Sequence, residues 1–436
     1  MVSADALALR PIPAPLDGRE LRPPGSKSLT NRALLLAALA RGRSTLTGCL
    51  ESEDTELMRA ALARLGVPCS VSDEGRRVVV DGAGGPFVSL HEPATALDVG
   101  TAGTAARFLS AALAASPITA LMDGTARMRE RPMAVLLDTL AAQGAELHYR
   151  GVAGALPVTI VGAVEGLRGG EIRLRRPPSS QFISALILAA PLARAETTIV
   201  LEGGTPARPY VDMTLATLKA FGGRGAWTEE NRITVEPSAL VGLDYAIEPD
   251  ASAASYFLAL AAISGGAVTI PDLGTASLQG DAGFVHLLKE MGAVVEQGPN
   301  TTQVRSCAHL RGIDVDMRDM PDMTLTLAVV ALYAEGTTRI SGVEILRHHE
   351  SDRLAAGATE LRKLGATVVE EEGGLMITPP EGGPRRGVTI DTYLDHRMAM
   401  AFALAGEVRI VDPGCVRKTF PNYFEVLAEL GMVAGL

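Results

Sequence analysis

The sequence predicts an α/β protein of two domains, each built from three copies of one repeated helix-strand unit, and three observations carry that expectation. First, six helix endings share one form: "LMRAALARLGVPC", "LLDTLAAQGAELH", "LATLKAFGGRGAW", "VHLLKEMGAVV", "TELRKLGATVV" and, more weakly, "YFEVLAELGMVA". Each sets apolar residues at helical spacing, then a glycine suited to the left-handed cap position, then an extended run. These glycines, Gly66, Gly144, Gly222, Gly292, Gly365 and Gly431, lie 66 to 78 residues apart. Second, a strand-like run such as "RSTLTGCL" or "ETTIVLEG" stands roughly 20 to 25 residues before each glycine. Third, Val235 to Ser255 interrupts the pattern between the third and fourth copies with turn residues and acidic groups.

Taken in order, each copy reads as helix, strand, helix and hairpin, with "CSVSDEGRRVVVDG" as the hairpin of the first. One such unit leaves an apolar helix face uncovered and requires neighbours. Residues 22–245 are expected to form one domain, and residues 1–21 with 246–436 a discontinuous second one. The chain then passes between domains near 20–24 and again at a hinge near 242–248. The sixth copy stops five residues after Gly431, so its closing strand is expected from the N-terminus.

A chain of 436 residues is long for a single core, which agrees with two domains. With 47% hydrophobic but only 4% aromatic residues, the interiors must be filled by Leu, Val, Ile and Ala. The formal net charge of −10 opposes a surface for non-specific nucleic-acid binding, yet it permits a locally positive cleft for a small anion. No apolar run reaches membrane-span length and the start lacks a signal-peptide pattern, so a cytoplasmic monomer without a membrane or nucleic-acid partner is expected. Cys49, Cys69, Cys307 and Cys415 have no close paired spacing and suggest neither a zinc site nor a disulfide framework.

Chemistry concentrates where loops become helices. "GSKSLTNR" places Gly25, three hydroxyl residues, Lys27 and Arg32 at a helix start, where outward N–H groups and cations form an oxyanion receptor. A turn between Lys27 and Arg32 is expected to aim both into one cavity. The second copy answers with "DVGTAGTAARFL", in which Gly103 and Thr104 allow close backbone approach, and the third with Ser179, Ser180 and Gln181 of "RRPPSSQFIS". Between them, Arg127, Arg129 and Arg131 of "DGTARMRERPM" include a forked donor for phosphate or carboxylate. For any one of these helix starts, capping and packing are the competing explanation; three in related units favour convergent donors.

The second half differs. Asp322 of "MPDMTLTLA" stands at a helix entrance, where an N-cap role is expected beside a catalytic one. "LRHHESDRLAA" brings His349, Glu350 and Arg353 within four positions, with Glu350 and Arg353 expected on neighbouring helix turns. "DTYLDHRMAM" and "PGCVRKTFPNYF" add Asp395, His396, Arg397, Arg417 and Lys418. Adjacent His348 and His349 do not by their spacing converge on one ion and arginines suit a cation site poorly, so no metal is expected. Carboxylates among arginines suit an anionic substrate whose protons must be moved.

The ordered set "PGSKSLTNR", "GTAGTAAR", "RERPM", "SSQF", "ARPYVDMT", "PDMTLTLA", "ESDRL", "DHRMAM" and "KTFPNYF" spans essentially the whole chain and resembles the enolpyruvyl transferase family, in its branch acting on shikimate 3-phosphate. The resemblance implies an inside-out α/β fold with helices packed inward, two domains of three repeats each, and an active site in the interdomain cleft. It implies transfer of the enolpyruvyl (carboxyvinyl) group of phosphoenolpyruvate to the 5-hydroxyl of shikimate 3-phosphate, through a tetrahedral intermediate, with release of phosphate and no cofactor. Such a step serves aromatic amino-acid biosynthesis, and glyphosate inhibits the family by occupying the phosphoenolpyruvate region. Two alternatives stand beside it: transfer to a UDP-linked N-acetylglucosamine, which the Lys27-Ser28 loop and the absence of a cysteine in "RMRERPM" oppose, and a non-catalytic anion-binding repeat protein.

By resemblance, Lys27, Ser28, Arg32, Ser179, Ser180, Gln181, Tyr210, Asp322 and His349 belong to the shikimate-phosphate site. Lys27, Gly103, Thr104, Arg131, Gln181, Arg353, Arg397 and Lys418 belong around phosphoenolpyruvate. Asp322 is the implied base toward the 5-hydroxyl, Glu350 the implied acid toward C3, and Lys27 a third catalytic group. Three positions depart from the family pattern: His349 replaces a lysine, Ala207 a serine, and Phe108 a common proline. A protonated His349 is the expected substitute for the missing ammonium.

Overall fold

Helices made almost wholly of alanine and leucine cannot remain at a surface, and the computed structural model, which describes residues 6–11, 15–16, 18–88 and 94–433, buries them. Contacts divide the chain into two units, Gly25–Ile247 (the continuous unit) and Met1–Pro24 with Glu248–Leu436 (the split unit). In the continuous unit, Lys27–Leu39, Gly103–Ala114 and Ser180–Ala189 are buried along nearly their whole length. A Leu→Ala change in any of them should cost about 2–5 kcal/mol, because a close-packed interior leaves the cavity unfilled.

Each central helix is covered by a four-stranded sheet. In the second repeat the spatial order is Thr95–Asp98, Thr119–Asp123, Val158–Val161, Glu146–Tyr149, the first pair parallel and the others antiparallel. Gly170–Arg175, Thr197–Glu202, Arg232–Glu236 and Arg224–Glu229 reproduce it in the third. The leading parallel strand is absent from the sequence reading, which took each copy to begin at its helix. Gly82 and Gly162 occupy matching places in the hairpins: a Cβ there would stand 2.1 Å from the Ala40 carbonyl and 1.9 Å from the Ser116 carbonyl. The hairpin therefore crosses the end of its helix at backbone distance.

In the split unit the central helices are Ala251–Ser264, Thr324–Val330 and His396–Phe402. The sheet of its second repeat follows the same order, Asp314–Asp316, Thr338–Ser341, Gly374–Thr378, Thr367–Glu371. In its last repeat Val388–Ile390 runs parallel to Val408–Ile410, and the closing antiparallel strand is Leu7–Ala8 from the N-terminus, as the sequence suggested. Aromatic residues gather here: Tyr423 stacks edge-on against Tyr256, Phe420 and Phe424.

The chain divides after Pro24 and after Ile247, at the late end of the two expected windows and slightly beyond the expected domain bounds. Asp244–Ala246, within the segment taken for a hinge, is a strand parallel to Arg41–Thr47, and Ile247 N–H donates to the Thr47 carbonyl at 2.8 Å, so the continuous unit keeps residues through Ile247. Arg19–Glu20 pairs in parallel with Ala267–Pro271, and Asp250 N–H donates to the Pro24 carbonyl at 2.7 Å, which holds residues through Pro24 in the split unit. Each crossing thus supplies the leading strand of a sheet whose own repeat lacks one. Among the described residues no helix is long and apolar enough to cross a membrane.

Candidate active site

In the continuous unit the three helix starts carry the expected polar groups. Ser26 caps Lys27–Leu39, accepting from Leu29 N–H, so Lys27 and Ser28 open the helix; the Lys27 ammonium lies 3.5 Å from Asp54. Ser179 caps Ser180–Ala189 by accepting from Gln181 N–H. Gly103 begins its helix with Thr104 buried beside it. A Cβ on Gly103 would stand 2.7 Å from Arg107 Nη1 and 2.8 Å from Arg131 Nη1, so only a glycine lets both guanidiniums reach this helix start.

The arginines of "RMRERPM" separate by environment. Arg127 pairs with Glu130 and Arg129 with Asp123 on the surface, whereas Arg131, 6% exposed, donates to the Thr101 carbonyl at 3.1 Å. Arg107 donates to Gln181 Oε1 at 2.6 Å and to the Pro132 carbonyl at 3.1 Å, with its guanidinium 5.0 Å over Phe182. Arg107 was visible at the helix start but was not assigned a ligand or a partner from sequence. Its contact with Gln181 ties the second repeat to the third.

Arg32 is enclosed more fully than Lys27. Five residues along the same helix, it points into the interior, where it donates to Thr214 Oγ1 (2.8 Å), Ser28 carbonyl (2.9 Å), Tyr210 carbonyl (3.1 Å) and Ser184 Oγ (3.2 Å). Phe108, at the position of the family proline, lies under the guanidinium at 5.2 Å and supports it through its ring face. Burial without a neighbouring carboxylate lowers Arg32 to about 10. Tyr210 sits at the start of the helix Arg208–Ala220, capped by Ala207 in the left-handed region at φ 45 with no side-chain bond. Arg208 lies 3.9 Å over Trp227 and donates to the Glu230 carbonyl.

The split unit assembles a different object. Arg353, 2% exposed, uses all five N–H groups: two on Asp395 (2.8 and 3.2 Å), one on Asp322 (2.9 Å), one on Glu350 (2.9 Å) and one on His349 Nδ1 (2.9 Å). Desolvation opposes its charge, but the carboxylates of Asp395, Glu350 and Asp322 outweigh it and raise the guanidinium above its ordinary value. Arg397 holds the other oxygen of Asp322 at 2.7 Å, and the Lys418 ammonium lies 3.0 Å from Glu350. Tyr256 is pushed up to about 12, chiefly by burial, with Arg397 opposing.

Two expectations need correction here. Asp322 is not a helix cap: it lies in the 3-10 turn Pro321–Met323, and two guanidiniums claim its oxygens. Glu350 is not on the helix, which begins at Arg353 behind the cap Asp352; the two still meet at the three-residue spacing. His349 joins the same cluster, its Nδ1 lying 2.9 Å from Arg353 Nη1 and 3.8 Å from Asp322 Oδ1. Asp395, left without a role by the sequence reading, is fully buried and anchors Arg353, Ser351 and the N–H of Arg397 together.

With this geometry in place, residues 12–427 match the family model described as EPSP synthase (3-phosphoshikimate 1-carboxyvinyltransferase). The chain belongs to the EPSP synthase family. A 3-phosphoshikimate 1-carboxyvinyltransferase from Photobacterium profundum is 44% identical over 440 residues, covering 99% of this chain and 100% of that one. The chloroplastic relative from Nicotiana tabacum is 45% identical over 426 residues, 93% of this chain and 81% of its own. An EPSP synthase structure from Acinetobacter baumannii superposes with TM-score 0.81 at 28% identity, covering 99% of each chain. The enolpyruvyl transferase NikO from Streptomyces tendae, at 18% identity and TM-score 0.80 over 98% of each chain, shares the fold. The repeated helix-strand architecture of the synthase is thus that of the enolpyruvyl transferases.

Proposed function

We propose that the two clusters serve a single carboxyvinyl transfer, cations of both units recognising anionic groups and the carboxylates of the split unit moving protons. The reaction is that of the family: the enolpyruvyl group of phosphoenolpyruvate passes to shikimate 3-phosphate and phosphate is released. Lys27, Ser28, Arg32, Ser179, Ser180, Gln181, Tyr210, Asp322 and His349 hold shikimate 3-phosphate in this reading. Lys27, Gly103, Thr104, Arg131, Gln181, Arg353, Arg397 and Lys418 hold phosphoenolpyruvate.

The observation that carries the reading is the sharing of Arg353 by Asp322 and Glu350, each 2.9 Å away. Two carboxylates linked through one guanidinium are positioned to act in sequence. Asp322 takes the proton of the 5-hydroxyl as its oxygen attacks C2 of the enol, and Glu350 delivers a proton to C3, giving a tetrahedral adduct. Arg353 and Lys418 contact Glu350 at 2.9 and 3.0 Å, and arriving phosphoenolpyruvate competes for those cations, freeing the carboxyl to carry a proton to C3. Removal of that C3 proton then accompanies loss of phosphate. Cations fixed in advance stabilise the charge that shifts onto the leaving phosphate. In this reading the enzyme acts as a cytoplasmic monomer on these two small molecules.

The test is a product assay with purified protein and both substrates, following phosphate and the enolpyruvyl ether together. Equal molar formation of both is expected, and phosphate without the ether would reject the assignment of roles.

A further inference from the structure

Behind the ion network lies a carboxylate that the reaction does not use. Glu360 stands on the helix Arg353–Lys363, seven residues beyond Arg353 and so about two turns away on the same face. Its side chain is 0% exposed. It accepts from the Tyr393 hydroxyl at 2.9 Å, the Asp391 N–H at 3.2 Å and the Lys363 ammonium at 2.7 Å. Burial, and then Glu360 itself, push Tyr393 up to about 12, so the phenol keeps the proton it donates.

The turn gripped in this way is strained. Tyr393 and Leu394 stand consecutively in the left-handed region, at φ 53 and 56, where side chains bearing a Cβ are disfavoured. Asp395 follows at once, its N–H closing on the Thr392 carbonyl at 2.8 Å, and its carboxylate receives both Arg353 and the N–H of Arg397. One helix therefore holds the two ends of a single turn, Glu360 at Asp391 and Tyr393, Arg353 at Asp395. Released at the Glu360 end, the turn would relax its left-handed pair and rotate the start of the helix His396–Phe402, which carries Arg397.

We infer that Glu360 is a positioning residue for the transfer, fixing the strained turn so that Arg397 meets phosphoenolpyruvate. The inference rests on the assignment of Arg397 to that substrate. Steady-state kinetics of Glu360→Gln, Tyr393→Phe and Arg397→Ala, with each substrate varied in turn, tests both. In Glu360→Gln the KM for phosphoenolpyruvate should rise about tenfold, and in Tyr393→Phe about threefold, with the KM for shikimate 3-phosphate held within about twofold. An unchanged KM for phosphoenolpyruvate in Glu360→Gln, beside a raised one in Arg397→Ala, overturns the positioning role; no rise in Arg397→Ala overturns the assignment beneath it. Loss of affinity for both substrates in step would mark Glu360 as merely structural and reject the inference. Should Glu360→Gln not fold, Tyr393→Phe reads the same parameter from a residue that is 38% exposed.

Discussion

Arg32 and Arg353 are both 2% exposed and sit in opposite environments. Arg32 rests on two hydroxyls, two carbonyls and a ring face; Arg353 rests on three carboxylates and an imidazole. Burial drives the first down to about 10, while its neighbours raise the second. For Arg32 the charged form is disfavoured in the fold, at a cost of roughly 3 kcal/mol that is fully present below about pH 10. That unfavourable contribution should diminish as pH rises above about 10, where the unfolded chain still binds the proton. An interior that tolerates a cation on neutral oxygens alone is prepared for a negative ligand. An interior that matches each cation with a carboxylate is prepared to relocate protons without changing its net charge.

The largest expected effect comes from the matched side. Glu350→Gln preserves shape and removes proton capacity, so turnover should fall about a thousandfold while calorimetric binding of both substrates persists. Near-normal turnover would erase the distinction between the clusters. On the anion-receiving side, Lys27→Ala and Arg131→Ala should each weaken phosphoenolpyruvate binding about ten- to a hundredfold. A fall in turnover with unchanged binding would place those cations in the proton chemistry instead.

Gly103→Ala sharpens the contrast by displacement rather than deletion. The new methyl would lie under 3 Å from both Arg107 and Arg131, so their guanidiniums must retreat, and a rise in KM for phosphoenolpyruvate of about tenfold is expected. An unchanged KM would show that neither arginine is held to its present place. The smallest effect belongs to His349→Gln. With Nδ1 placed 2.9 Å from a guanidinium, which only donates, proton uptake on binding shikimate 3-phosphate should be the same in wild type and variant, measured in buffers of different ionisation enthalpy. A deficit in the variant would mean that the ligand draws Arg353 away and charges the ring.

Much of this was legible in the sequence because it depends on local order. The glycine-terminated helices announce the repeats, and hydroxyl residues before apolar helices announce the starts where Ser26 and Ser179 are caps. What escaped depends on tertiary direction. Lys27 and Arg32 look equivalent in "GSKSLTNR", but five residues of helix set the first beside Asp54 and enclose the second among Thr214, Ser184 and Tyr210. Asp322 has the position of a cap, and only the arrival of Arg353 and Arg397 from distant repeats claims its oxygens. The leading strands are three to six residues in Asp244–Ala246, Thr95–Asp98 and Gly170–Arg175, too short for alternation to announce them. Asp395 is a surface-type residue whose complete burial follows from Arg353, which no local pattern reveals.

The contrast between the two buried arginines is open to one direct measurement, the folding stability of Arg32→Met against that of Arg353→Met by denaturant titration. Without Arg32, Thr214 still bonds to Ser184 and to the Tyr210 carbonyl, and the Ser28 carbonyl keeps its place in the helix ladder. Without Arg353, the fully buried Asp395 faces Asp322 and Glu350 with their common cation removed. Arg353→Met should therefore lose about 3–5 kcal/mol, whereas Arg32→Met should lose no more than about 1 kcal/mol, or gain stability, while losing affinity for shikimate 3-phosphate. An equal or greater loss of stability in Arg32→Met would contradict the account.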